Sequence, residues 1–117
     1  MDVLSRLFKP REGKLTFFFN VKKHKGVIYL DTQEFLDLCK DLIVKYFNEE
    51  VDKSDDFKLT IDDVFVVWSC KTLQNNKALL STTVSDGMYY ELTYNGDKRE
   101  IYFDAYKKWK NDCIKFK

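Results

Sequence analysis

The chain has one proline and four glycines in 117 residues, which excludes linker-rich and collagen-like chains. It has a single histidine, His24, and its three cysteines, Cys39, Cys70 and Cys113, form no Cys-x-x-Cys pair. A structural zinc site needs clustered Cys and His ligands, so none is expected. The odd, widely spaced cysteines read as free thiols of a reducing cytoplasm, buried as small hydrophobes. No apolar run approaches the roughly 20 residues of a membrane-crossing helix. The first residues, Met-Asp-Val-Leu-Ser-Arg, lack the apolar core of a secretion signal. Net charge is also nearly absent, at +1.

Apolar residues make up 44% and charged residues 33%, a balance suited to a folded domain and not to a disordered chain. The length suits one domain over residues 1–117. The small net charge hides segregation. Residues 1–30 carry seven bases against two acids, and residues 31–63 carry four against eleven. Residues 64–117 return to nine against six. A basic block is either a phosphate-binding face or a solvated surface.

Lys14 to Asn20 and Val27 to Leu30 read as two strands, giving a basic N-terminal hairpin with Lys22, Lys23, His24 and Lys25 at its tip. Asp31 followed by Glu34 is a capping-box signature. Phe35, Leu38, Leu42, Ile43 and Tyr46 then recur at helical spacing, predicting a helix over 32–49. Asp37, Asp41 and Lys45 lie off that stripe. Strands are expected at 64–70, 78–84, 88–94 and 99–103. In Val64-Phe-Val-Val-Trp-Ser-Cys70 both alternating sets are apolar, which suggests a central strand covered on both faces. Asn95-Gly96 signals a tight hairpin turn of type I′. Asp104 is read as the cap of a last helix that turns Ala105, Trp109, Cys113 and Phe116 inward, and leaves Lys107 and Lys108 outside. The expectation is an α+β domain with this order: N-terminal β-hairpin, helix, antiparallel four-stranded meander and C-terminal helix. Its helices pack on the sheet, with Trp68 and Trp109 in the core.

Catalytic constellations are scarce. His24 sits among lysines at an expected loop tip, a poor place for a general base. The four glycines are isolated, so no phosphate loop exists. Asp62, Asp63, Glu91, Glu100 and Asp104 offer carboxylates for a metal-dependent nuclease. The lysine that many such sites place two residues after a strand carboxylate is absent, since Thr93 and Tyr102 stand there. No metal, cofactor or catalytic residue is therefore expected. Tyr89, Tyr102, Phe17 and Phe19 could stack single-stranded nucleic acid, though aromatic strands in small domains more often build a core or a partner interface.

The stretches Asp62 to Thr82, with Leu-Gln-Asn-Asn-Lys-Ala-Leu-Leu-Ser-Thr at its end, Asp86 to Asp97, with Tyr-Glu-Leu-Thr-Tyr-Asn-Gly-Asp, and Tyr102 to Lys108 resemble a family of small uncharacterised phage and prophage proteins of Gram-positive bacteria such as streptococci and staphylococci. The resemblance spans residues 33–117 and leaves the basic first 30 residues aside. It implies the host bacterial cytoplasm, and it brings no catalytic residues. It points to a non-enzymatic protein that inhibits or modulates a host protein or ribonucleoprotein, with anti-CRISPR or other anti-defence activity as the sharpest form. Nucleic-acid binding through the basic block is the alternative, and a metal-dependent nuclease the second alternative. Partner contacts are expected at Lys22, Lys23, Lys25, Asp37, Asp41, Lys107 and Lys108, with no membrane involved. An aromatic hairpin edge invites pairing with another chain, so a homodimer through Phe17 and Phe19 is expected.

Overall fold

A computed structural model describes residues 30–117 apart from 53 and 55, together with the backbone of four short strands before them. Those strands are β1 (Lys9–Arg11), β2 (Lys14–Thr16), β3 (Lys23–His24) and β4 (Val27–Ile28). They are followed by helix α1 (Thr32–Tyr46), a π-helical turn (Phe47–Val51) and a 3-10 turn (Ile61–Asp63). Four long strands complete the chain: β5 (Val64–Thr72), β6 (Asn75–Thr82), β7 (Met88–Asn95) and β8 (Glu100–Lys107).

The capping box forms. The Asp31 carboxylate accepts from the Glu34 amide at 2.7 Å, and the Asp31 amide donates to the Glu34 carboxylate at 3.4 Å. Two of the orphan donors at the helix start are thereby satisfied. Helix α1 buries Phe35, Leu38, Cys39, Leu42 and Ile43. It buries Lys45 as well, which the periodicity left outside; the Lys45 ammonium pairs with Glu49 one turn on. Within the π turn, the Asn48 side-chain amide pairs with the backbone of Leu59. It accepts from the Leu59 amide at 2.8 Å and donates to the Leu59 carbonyl at 3.1 Å. This two-point clasp fixes Leu59, which is buried in the core.

Strands β5 to β8 form an antiparallel meander in sequence order. The helix stripe meets Val64, Ala78, Leu80, Tyr90, Leu92, Tyr94 and Ile101 in one apolar cluster. Side chains alternate across a strand, so this covered set leaves the other set on the opposite face. Each fully buried aliphatic or aromatic side chain here contributes about 1.5–3 kcal/mol relative to exposure. Helix and meander together make the α+β architecture that the pattern predicts.

Several expectations are overturned. Strand β5 is not central: the sheet order is β1-β2-β8-β7-β6-β5, which puts it at an edge. It also carries a β-bulge between Val66 and Trp68. Val66 pairs with Leu80 and Trp68 with Leu79, so Val67 is an extra residue and Trp68 shifts to the uncovered face. Trp68 is accordingly 42% exposed instead of buried. The C-terminal helix does not form. Asp104 to Lys107 continue β8, and residues 108–117 are a fully exposed tail without regular structure. Trp109, expected in the core, is 96% exposed. Pairing with β7 out to Met88 opposite Lys107 takes the residues that would have been the first helical turn.

The N-terminal hairpin also differs. Lys14–Thr16 pairs with Lys9–Arg11 and reaches β8 through Leu15 opposite Ile101, whereas Lys23–His24 pairs with Val27–Ile28. Phe17, Phe19, Lys22 and Lys25, and the side chain of Lys23, lie outside the described residues.

The turns depart from expectation too. Leu73 and Gln74 alone join β5 to β6, with Leu73 at φ 56°. Asn95 closes a four-residue loop by accepting from the Asp97 and Lys98 amides at 3.1 and 3.2 Å, and the left-handed residue there is Arg99. Gly96 is required for a different reason from the expected turn geometry. A Cβ on it would lie 2.3 Å from the Gln74 carbonyl oxygen, where the two loops touch.

Candidate docking face

The uncovered sheet face is built by register. Across β5, β6, β7 and β8 its rows read Phe65–Ser81–Tyr89–Tyr106, Trp68–Leu79–Glu91–Asp104 and Cys70–Lys77–Thr93–Tyr102. Phe65 is 48% exposed and Tyr106 51% exposed, at opposite ends of the first row. Trp68 stands beside Leu79 in the second row. Among the described residues, no element covers this face as α1 covers the other.

Five of the twelve positions, Ser81, Glu91, Asp104, Lys77 and Thr93, are polar or charged, and the charges are partly neutralised. The Lys77 ammonium lies 3.4 Å from the Glu91 carboxylate, and Asp104 is exposed next to Glu91. The Tyr102 hydroxyl donates to Glu100 at 3.4 Å. The ionisable groups of the three rows thus carry one positive and two negative charges. Exposed aromatic side chains on an uncovered sheet face mark interaction surfaces, and Trp and Tyr are the side chains that most often anchor them.

One end of the face deepens into a 380 Å³ recess lined by Phe65, Val84, Met88 and Tyr89. Gly87, at φ 72°, turns the chain there, and its carbonyl accepts from the Lys108 amide at 2.6 Å. The exposed tail therefore leaves the sheet beside Phe65 and Tyr89. It carries Trp109, Ile114 and Phe116, which are 96%, 78% and 97% exposed.

The sequence-expected contact residues do not gather into one site. Asp37 is on the exposed side of α1, where it accepts from the Gln33 amide at 2.7 Å. Asp41 is exposed on the same helix. Both are on the far side of the sheet from the open face. Lys107 and Lys108 lie at the end of β8, where the tail begins. Sequence reasoning missed Phe65, Leu79 and Tyr106 as surface residues. The signal was the doubly apolar run of β5, which fits an uncovered apolar face as well as a buried one.

The thiols divide. Cys39 is buried, and burial pushes its pKa well above the ordinary thiol value, so it stays protonated and unreactive. Cys70 on the open face and Cys113 in the tail are exposed, which corrects the expectation that all three are buried. Among the described residues, no three His, Cys, Asp or Glu side chains converge on a metal-sized site. Glu91 and Asp104 are neighbours across β7 and β8, but Asp62 and Asp63 belong to the 3-10 turn before β5.

A model of a family of unknown function, DUF6275, matches residues 36–116. No curated protein and no solved structure matches the chain. The matched span takes in α1 from its second turn, the whole meander and the tail almost to its last residue, and the chain belongs to this family of unknown function.

Proposed function

We propose that the chain is a non-catalytic binding protein that works by laying its open sheet face on another protein. The observation that carries this reading is the uncovered aromatic row and its neighbours, Phe65, Trp68 and Tyr106, each close to half exposed. Leaving half of such a side chain in water forgoes about 1 kcal/mol apiece, which a partner surface recovers. The resemblance to phage proteins makes the partner a protein of the host bacterium and the consequence its inhibition, with a nucleic-acid-guided defence complex as the sharpest case. A protein surface suits the face better than a phosphate backbone does, because the acids Glu91 and Asp104 outnumber the single base Lys77 on it.

The test is a paired capture from the host bacterium with tagged wild-type protein and a Trp68→Ser/Tyr106→Ser variant. Both substituted side chains are exposed, so the melting temperature should stay within about 2 °C of wild type. Truncating two aromatic anchors of the interface should weaken the captured complex at least about 30-fold. That complex should survive a rise from 50 to 200 mM salt, a change over which several phosphate contacts lose about a thousandfold in affinity. Equal recovery by wild type and variant removes the face from the function.

A further inference from the structure

We propose that the tail, residues 108–117, docks on the open sheet face of a second copy of this chain, so that two copies exchange tails about a two-fold axis. The inference rests on the reading of that face as a docking surface, and it names the occupant that a host partner would displace.

The tail is unlike a solvated terminus. Trp109, Ile114 and Phe116 are largely exposed along a tail without regular structure. The family match runs through residue 116, so the tail is part of the shared domain and not an appendage to it.

Charge agrees with the pairing. The tail carries Lys108, Lys110, Lys115 and Lys117 against Asp112, which is ion-paired with Lys110 at 3.0 Å. The face offers the opposite balance in Glu91 and Asp104 against Lys77. Size agrees as well. Two aromatic side chains bury about 150–250 Å² each, so two reciprocal tails with the face beneath them reach the range of roughly 1,200–2,000 Å² that stable interfaces occupy.

A second copy is the fitting occupant for a geometric reason. The bond from the Lys108 amide to the Gly87 carbonyl holds the start of the tail in line with β8. Folding back over its own face would place the reversal at Trp109 to Asp112 and spend the largest apolar side chain on the bend. Running straight on, ten residues extend up to about 33 Å. Four strands span only about 19 Å, so the tail can cross a facing sheet. Because every chain carries one tail and one face, a two-fold pair satisfies both and closes.

Sedimentation velocity on the full chain at about 20 μM, a concentration that populates complexes of micromolar affinity, reads the outcome. Wild type should sediment at twice the 14.0 kDa chain mass. A Trp109→Ser/Phe116→Ser variant and the Trp68→Ser/Tyr106→Ser variant should each be monomeric and folded, with the wild-type far-UV circular dichroism spectrum and at most the lower melting temperature that losing a dimer brings. The exposed thiols supply a second readout. A short bis-maleimide should join Cys70 to Cys113, and in an equilibrated equal mixture of ¹⁴N- and ¹⁵N-labelled protein about half of the joined peptides should carry one label each. A monomeric wild type, a dimer that survives the tail variant, or cross-links confined to one label overturns the tail exchange and leaves the docking reading of the face intact. If instead the face variant keeps both the dimer and the host partner, the face reading itself fails.

Discussion

Tyr90 lies at the centre of the core with no exposed surface, and among the described residues its hydroxyl has no hydrogen-bond partner. Its ring is well placed. It meets Tyr46 edge-on at 5.9 Å and Phe103 at 5.8 Å, and Tyr46 and Phe103 touch each other at 5.2 Å. Tyr90→Phe keeps that aromatic triangle and removes only the stranded oxygen. An unpaired buried polar group costs about 1–3 kcal/mol, so the variant should gain about 1 kcal/mol. At about 2.1 cal/mol/K per residue, this chain's unfolding entropy converts that gain into a melting temperature about 4 °C higher.

A second signature is alkaline. Burial, reinforced by the nearby Asp86 charge and by Tyr46, pushes the Tyr90 pKa up to about 12 from an ordinary 10.0. A phenol held neutral by the fold contributes its full stability below pH 10, and the contribution is lost as pH rises from 10 through 12. Phenylalanine cannot ionise, so the variant's advantage should widen over that window. Tyr94, also raised by burial, acts in the same direction in both proteins. Thermal unfolding by circular dichroism at pH 7, with urea titrations at pH 9, 10 and 11, makes the measurement. A loss of 1 kcal/mol or more at pH 7 would refute the reasoning by showing that the hydroxyl is satisfied.

Two further substitutions probe the loops. Gly96→Ala places a methyl group 2.3 Å from the Gln74 carbonyl oxygen, so the loop contact must open. A loss of about 2 kcal/mol is expected, read as a lower urea midpoint at an unchanged slope. Leu73 holds φ 56° with its side chain 81% exposed, a conformation that costs an L-residue about 1–2 kcal/mol. Leu73→Gly should therefore be stabilising by about 0.5 kcal/mol after the added freedom of the unfolded chain is subtracted, and a lower urea midpoint would show that the side chain holds a contact.

Legibility from sequence followed the locality of the forces. The capping box, the stripe of α1 and the alternation of Tyr90, Leu92 and Tyr94 are decided by neighbours within a few residues, and they could be read directly. The edge position of β5 depends on which strand the sheet ends with, and no periodicity encodes that. A bulge displaces one residue without changing composition, so Trp68 read as a core residue until its pairing with Leu79 was seen. The tail illustrates a different limit. Trp109, Cys113 and Phe116 do have helical spacing, but a helix of ten residues is marginal in water without a surface to cover its apolar side. Asp104 to Lys107 gain more from the ladder with β7 than from a first helical turn. For the docking face, the aromatic abundance was visible, and its exposure was not. The same alternation serves a face under a helix and a face awaiting a partner.

The bulge at Val67 has a consequence for the behaviour of the protein at high concentration. Val64 to Cys70 is seven residues without a charge, rich in β-branched and aromatic side chains, and it lies on the outermost strand. That composition is the signature of segments that stack into cross-β fibrils. The extra residue breaks the even row of donors and acceptors along the outer edge and adds a local twist that an incoming strand cannot match. A chain lacking Val67 would keep Val66 over Leu80 and Trp68 over Leu79. It would present a straight, uncharged edge, with Lys71 the first charge along the strand to oppose fibril growth. Val67 is thus a residue whose service is to solubility, performed by interrupting the strand in which it sits.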